Sequence, residues 1–399
     1  MIRAVLFDLD DTLLSNDMER FLPAYLQLVS QALATLVPPK TLVAELMRGT
    51  SAMLANRDPV RTLKQAFAEV FYPAVGVPET ILAPPFEAFY RESFEQLRDL
   101  TSSIPGAPAV VTAIHSSGRL VGVATNPVMP LIAVRARLRW AGVSAASPSI
   151  GLVSSYEHFH FAKPDPAFFA EFTARLGLCP AEAAMVGNSV SDDIEPASSL
   201  GMSCYLIGQP DSTTWPAGPL DAVPEWVAAL DASRPAAPIE GVALEARLRG
   251  ELAAIRTVCD PLAASDWSSG AGTDSWSAVE ILCHLRDVER EINLPRLEAI
   301  LGQDDPFLTA IDPDRWAGMR DYRSQSGIEA LREFTAARGA LLARLQSLEP
   351  PDWQRSARHA LLGPTRLVEL MTIIAEHDIL HLRQLLELPP VVNASFRPA

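Results

Sequence analysis

The sequence predicts an α/β doubly wound parallel sheet with a helical cap, followed by an all-α four-helix bundle. Three observations carry this. An apolar run from Ile2 to Phe7, broken only by Arg3, stops abruptly at Asp8-Leu9-Asp10-Asp11-Thr12, as a buried parallel strand would. Further apolar runs at Leu120 to Ala124, Ala183 to Val186 and Ser203 to Ile207 alternate with helical patterns, the order that builds a parallel sheet. A proline-rich stretch from Gln209 to Gly241 then divides this half from one that reads as helix throughout.

Taken in order, residues 1–230 form the first domain, with its core in 1–16 and 103–230. Residues 17–102 hold no convincing strand and read as several helices, a lid inserted directly after the first strand. Leu220 to Leu230 fits one short helix, which leaves residues 231–241 as the linker and 242–390 as the bundle. Four helical segments are expected there, approximately Val242 to Ala264, Ser277 to Leu301, Gly327 to Leu348 and Arg366 to Leu386. Ser277 with Glu280 and Ser326 with Glu329 fit capping boxes, which mark helix starts.

Composition narrows the function classes. A chain of 399 residues suits two or three domains. Its net charge of −15 argues against nucleic acid or an anionic membrane as partner. Phosphorylated substrates stay open, because a bound cation reverses a local field. Cys179, Cys204, Cys259 and Cys283 make no CxxC pair and read as reduced thiols of a cytoplasmic protein. No signal sequence and no bilayer-length apolar run is expected.

Four segments of the first half carry complementary chemistry. Asp8 and Asp10 end the first strand, where ligands bind in open α/β sheets. Val121 to Asn126 is a strand ending in the Thr125 hydroxyl. Lys163 sits in Ala162-Lys163-Pro164-Asp165-Pro166, and Met185 to Asp193 is a strand followed by polar and acidic residues. A carboxylate nucleophile, an acid/base partner, a hydroxyl, an ammonium and a second acidic cluster are what phosphoryl transfer through an aspartyl phosphate requires.

In this order the segments resemble the haloacid dehalogenase superfamily, over residues 1 to about 230. The resemblance implies Asp8 as nucleophile, Asp10 as general acid and base, and Thr125, Asn126 and Lys163 as phosphate-binding groups. It implies Mg²⁺ held by Asp8, the Asp10 carbonyl and Asp193. Asn188 stands where a first aspartate is frequent, and is expected to act through a water. The dehalogenase branch lacks the second aspartate, since a halide leaves without a proton; Asp10 therefore favours a phosphate ester. The helical insertion resembles the C1-type cap that closes over small substrates. Arg57 is a cationic candidate within it, set against the plainer expectation of a solvated helix-end arginine.

The second half carries His284 in Ile281 to Leu285, and His377 and His381 four residues apart on one helix face. Three imidazoles from two helices can form a facial site for Zn²⁺, Ni²⁺ or a similar ion. Trp276 to Leu285 and the stretch from Gly363 to Leu385 resemble the DinB-like superfamily, over about residues 242–390. The resemblance implies a metal-binding four-helix bundle, often dimeric, with this histidine triad; some members are thiol-dependent transferases. His359, before the last helix, is a candidate to face the site, set against the plainer expectation of a surface-loop histidine. The combined expectation is a cytoplasmic Mg²⁺-dependent phosphatase of a small phosphorylated metabolite fused to a metal-binding bundle. The alternatives are a metal-dependent thiol S-transferase in the bundle, using a low-molecular-weight thiol, and a bundle that only dimerises or senses.

Overall fold

The computed structural model describes residues 1–143, 149–208, 214–230, 241–270, 275–389 and 391. Most of the expected linker, residues 231–240, therefore lies outside the described residues. The chain separates into two compact units. One holds Met1–Phe172 and a segment beginning at Pro180; the other holds Thr173–Cys179 and the C-terminal segment.

The first unit begins with β1 (Ala4–Phe7), fully buried. Two three-residue strands, β2 (Leu14–Asn16) and β3 (Thr101–Ser103), pair antiparallel. Between them stand α1 (Met18–Ala32), α2 (Pro39–Leu54), α3 (Leu63–Val75), α4 (Glu79–Arg91) and a 3₁₀ stretch, Ser93–Leu100. The helical insertion thus hangs from a two-stranded stalk. Sequence reading missed that stalk, because three residues are too few to show a period of two.

The chain continues through α5 (Ala107–Ser116), β4 (Leu120–Val123), α6 (Leu131–Trp140), β5 (Ile150–Val153) and α7 (Pro166–Arg175). Then come β6 (Ala183–Gly187), α8 (Glu195–Ser199), β7 (Ser203–Ile207), β8 (Ala217–Gly218) and α9 (Val223–Ala229). Six strands form one parallel sheet in the order β5-β4-β1-β6-β7-β8. The first strand of the chain therefore lies between its two functional neighbours. At the crossing of β4 under the helical layer, a Cβ on Gly122 would fall 2.5 Å from Phe172 Cε1 and 2.7 Å from Leu6 Cδ2, so only glycine admits that packing.

The second unit contains the long helices α10 (Gly241–Cys259), α11 (Ala278–Val288), α14 (Gly327–Gln346) and α15 (Leu367–Leu386), with α12 (Leu294–Gly302) and α13 (Trp316–Met319) between them. Glu280 reaches back to the Ser277 amide at 2.9 Å, and Ser326 caps the Glu329 amide at 3.3 Å. A π-turn, Glu289–Asn293, joins α11 to α12. Pro295 explains it, because proline offers no N–H to the preceding turn.

The expectation of helix throughout this half needs correction. β9 (Phe307–Leu308), β10 (Ser356–His359) and β11 (Gly363–Arg366) form a small sheet in the order β11-β10-β9. His359 is correspondingly a buried strand residue, not a surface loop one. Its Nδ1 accepts the Leu361 and Leu362 amides at 3.2 and 3.3 Å and closes the hairpin. Among the described residues no helix is long and apolar enough to cross a membrane.

Replacing Gly122 with alanine is expected to lower the stability of the first unit by about 1–3 kcal/mol, read as a shift of its urea midpoint. An unshifted midpoint would mean that Phe172 and Leu6 yield without strain.

Candidate functional site

The parallel register places the first-unit residues. Ala124 donates to the Phe7 carbonyl at 2.7 Å and Asp8 donates to the Val186 carbonyl at 2.9 Å. Asp8, Thr125 and Asn188 therefore leave three adjacent strands at the same, carboxyl-terminal edge. Asp8, Thr125, Lys163 and Asp193 are each less than a tenth exposed, whereas Asn188 faces outward.

Lys163 joins the separate segments. Its Nζ donates to Asp8 Oδ1 at 2.7 Å and to Asp193 Oδ1 at 2.5 Å. Burial pulls the ammonium's pKa down, but Asp8 and Asp193 more than offset this and hold it above its ordinary value. Asp193 Oδ2 accepts the Ser189 amide at 3.1 Å. A Cβ on Gly187 would overlap the Asp193 carboxylate, so that glycine clears its seat. The π-turn Val190–Ile194 that carries Asp193 again precedes a proline, Pro196, at the start of a helix.

The Asp8 carboxyl is pushed up to about 7. Burial raises it most, Asp193 and Asp10 raise it further, and Lys163 opposes them. The pocket thus holds more carboxylate than its one ammonium neutralises. Two buried carboxylates with a backbone carbonyl next to them are an oxygen donor set of the kind Mg²⁺ takes, so the residues present fit such an ion.

Several residues that order this site were not evident in the sequence. Arg137, buried on α6, donates through Nη2 to Asp10 Oδ1, and Asn16 Nδ2 donates to the same oxygen at 2.8 Å. Asp11, in the left-handed region at φ 54°, turns the chain between them and accepts the Asn16 amide at 2.9 Å. Within Arg-Ala-Arg-Leu-Arg, residues 135–139, nothing singles out Arg137 as the inward one. The Lys163 loop is held by Glu171, which accepts the His160 amide at 3.0 Å and meets its Nδ1 at 2.8 Å.

Arg57 is neither free nor aimed at Asp8. Its half-exposed guanidinium pairs with buried Asp165 at 3.1 Å, while Asn56 Nδ2 donates to the His160 carbonyl at 2.7 Å. With Leu63 and Lys64 donating to the Phe159 and Tyr156 carbonyls at 2.8 Å, these bonds fasten the insertion to the Lys163 loop.

In the second unit, His284, His377 and His381 come together, their ligating atoms all within 4.8 Å of one another. His377 Nε2 lies 3.0 Å from His284 Nε2 and 3.1 Å from His381 Nε2. Burial pushes the His284 pKa down to about 3, with the other two imidazoles adding to it, and pushes His377 and His381 to about 4. All three are therefore neutral near pH 7, the form that ligates metal. His381 Nδ1 pairs with Gln384 Oε1 at 2.8 Å, which leaves Nε2 for the centre. Trp276 stacks on His381 at 5.8 Å and walls one side.

Comparison with known proteins agrees with both halves. The haloacid dehalogenase-like hydrolase family matches residues 2–201, and the DinB superfamily matches residues 247–385. A phosphoserine phosphatase of Thermus thermophilus is 32% identical over 161 residues, which are 40% of this chain and 59% of that protein. The chain thus spans under two thirds of that relative's length. Among solved structures, a 2-haloacid dehalogenase from Pseudomonas syringae pv. tomato aligns at 23% identity and a TM-score of 0.43, over 58% of this chain and all of that one. YfiT from Bacillus subtilis, described as a probable metal-dependent hydrolase with an unusual four-helix bundle topology, aligns at 16% identity and 0.34, over 39% and 93%. With half of its length matched and the sheet ordered around Asp8, the chain belongs to the haloacid dehalogenase-like hydrolases and continues into a DinB-superfamily domain.

Proposed function

We propose that residues 1–230 form a Mg²⁺-dependent phosphomonoester hydrolase that works through an aspartyl phosphate on Asp8. The observation that carries this is the buried Asp8–Lys163–Asp193 bridge beside Thr125. The part-length likeness to a phosphoserine phosphatase supports the same reaction class.

In this reading an Asp8 carboxylate oxygen attacks phosphorus and the ester P–O bond breaks. Asp10 gives its proton to the departing alkoxide. Asp10 then takes a proton from water, whose oxygen attacks the phosphoaspartate, releasing phosphate and restoring Asp8. Lys163, the Thr125 hydroxyl and the Asn126 amide hold the phosphoryl oxygens during both steps. Arg137 and Asn16 hold Asp10 in position. Asp8, Asp193 and the Asp10 carbonyl would hold Mg²⁺, with Asn188 reaching it through water. When bound, the ion would offset negative charge on the phosphoryl group.

A second reading concerns the bundle, read here as residues 242–390. The three converging Nε2 atoms support a divalent transition metal, Zn²⁺ or Ni²⁺, on His284, His377 and His381. The thiol-transfer and dimerisation readings rest on family resemblance alone.

Asp8→Asn is expected to abolish phosphate release from a panel of phosphomonoesters with the fold intact, and EDTA to abolish it reversibly in the parent; substantial residual turnover in Asp8→Asn would defeat the nucleophile assignment. Arg137→Met, which keeps most of the side chain's bulk, should lower kcat about 10- to 100-fold with little change in KM. Unchanged kcat would remove Arg137 from the positioning role. Full-length protein dialysed against Zn²⁺ or Ni²⁺ should retain one ion in the bundle by mass spectrometry, lost in His377→Ala. Retention by that variant would count against the triad.

A further inference from the structure

The helical insertion of the first unit encloses a cavity of about 350 Å³, lined from α1 to α4 and closed below by Val128, Pro130 and Tyr156. That floor is the chain directly following Thr125 and Asn126, clamped by the Tyr156 amide on the Met129 carbonyl at 3.2 Å. The phosphate-binding residues and the cavity thus share one loop. Asp8, Thr125 and Lys163 do not themselves line the cavity; the loop from Asn126 to Pro130 is what links it to the phosphate-binding residues.

The lining states what that group is. Six aromatic rings, Tyr25, Phe67, Tyr72, Phe86, Tyr90 and Tyr156, stand in a wall that they share with aliphatic and polar side chains. The Tyr25 and Tyr90 hydroxyls bond each other at 2.8 Å, which turns two polar tips into a satisfied pair. Three carboxylates, Glu79, Glu87 and Glu157, stand against one ammonium, Lys64. Lys64 is engaged by Glu79 at 3.4 Å, and both oxygens of Glu157 accept the Leu131 amide at 3.0 Å. Glu87 is paired with Arg91 at 2.5 Å, so a carboxylate or second phosphate entering here would meet the charge of Glu157 and no uncommitted cation in the lining. An aromatic or aliphatic body would exchange water for ring faces.

Resting on the hydrolase reading above, we infer that the substrate is a phosphomonoester of an apolar, non-anionic alcohol at least as bulky as one aromatic ring. Phosphoserine and phosphoglycolate, with their carboxylates, are then poor substrates.

The test compares kcat/KM of the full-length protein with Mg²⁺ on 2-phenylethyl phosphate, ethyl phosphate, O-phosphoserine and phosphoglycolate. The aromatic ester is expected to lead each of the others by about tenfold or more, mainly through KM. Filling the cavity with Ala83→Trp, or separately Thr50→Phe, should cut the phenylethyl-to-ethyl ratio to about one to two. A ratio taken within one variant does not depend on how much of it is folded. Preference for phosphoserine or phosphoglycolate, or a ratio that survives both fillings, overturns the inference. Calorimetric titration of the same esters into Asp8→Asn protein separates the two readings. Selective binding of the aromatic ester without turnover of any ester by the parent would sink the hydrolase reading and keep the cavity assignment. Turnover without aromatic preference would do the reverse, and absence of both would end both.

Discussion

One buried ammonium between two buried carboxylates organises the first unit. Lys163 touches Asp8 and Asp193 across separations of 155 and 30 residues, so the contact exists only once β1, β6 and the Lys163 loop are all in place. Buried charges left unpaired are strongly destabilising, and this dependence runs both ways. The sheet brings the three groups together, and the ammonium makes it tolerable for two carboxylates to share one edge. The supports around it serve the same end: Gly187 gives Asp193 room, and Glu171 fixes the loop that presents Lys163. Asp8 nonetheless lies far above the usual carboxylate range, raised by its burial and by Asp193 and Asp10.

The bundle solves a related problem with different chemistry. Arg338, fully buried, is gripped by Glu289 and Asp378, and Asn293 adds a bond to Glu289 at 2.7 Å. Asp378 lies next to His377 on α15, and Glu289 sits in the π-turn that Pro295 enforces. The guanidinium therefore ties α14 to α15, which carries His377 and His381, and to the turn that directly follows α11, the helix that carries His284. A bundle packed on apolar contacts alone could slide by a turn at small cost, whereas a paired buried charge has one acceptable register.

Much of this was legible in the residues. Strand ends betray themselves when an apolar run stops at a polar group, which places Asp8 and Thr125, whereas Asp193 is singled out within its acidic stretch by the family resemblance. The i, i+4 spacing of His377 and His381 likewise puts both on one face by helix geometry. What stayed hidden depends on direction, not on kind. Arg135, Arg137 and Arg139 look alike in sequence, and only packing turns Arg137 inward to Asp10. Arg57 resembles a substrate clamp until Asp165 is found beside it. The two- and three-residue strands β2, β3 and β9 are too short to show a pattern, and β10 and β11 lack the apolar run that marks β1 and β4, so His359 is taken inside unannounced.

The two proposed sites also differ in donor chemistry. On the proposed reading, the first offers oxygen atoms of buried carboxylates that retain negative charge, which suits a small hard ion that keeps part of its water. The second offers three imidazoles held neutral by burial, with no carboxylate among the three converging groups, which suits borderline ions and leaves positions open. Carboxylate and carbonyl oxygens suit Mg²⁺ and neutral imidazoles suit borderline ions, so the two proposed sites would differ in the ion each prefers. Burial does this work in opposite senses. It raises Asp8 and so strengthens the site's attraction for a cation, and it lowers His284, His377 and His381 and so frees their lone pairs. The same desolvation therefore prepares an acidic site and a neutral one, and the side chains that each fold turns inward decide which ion follows.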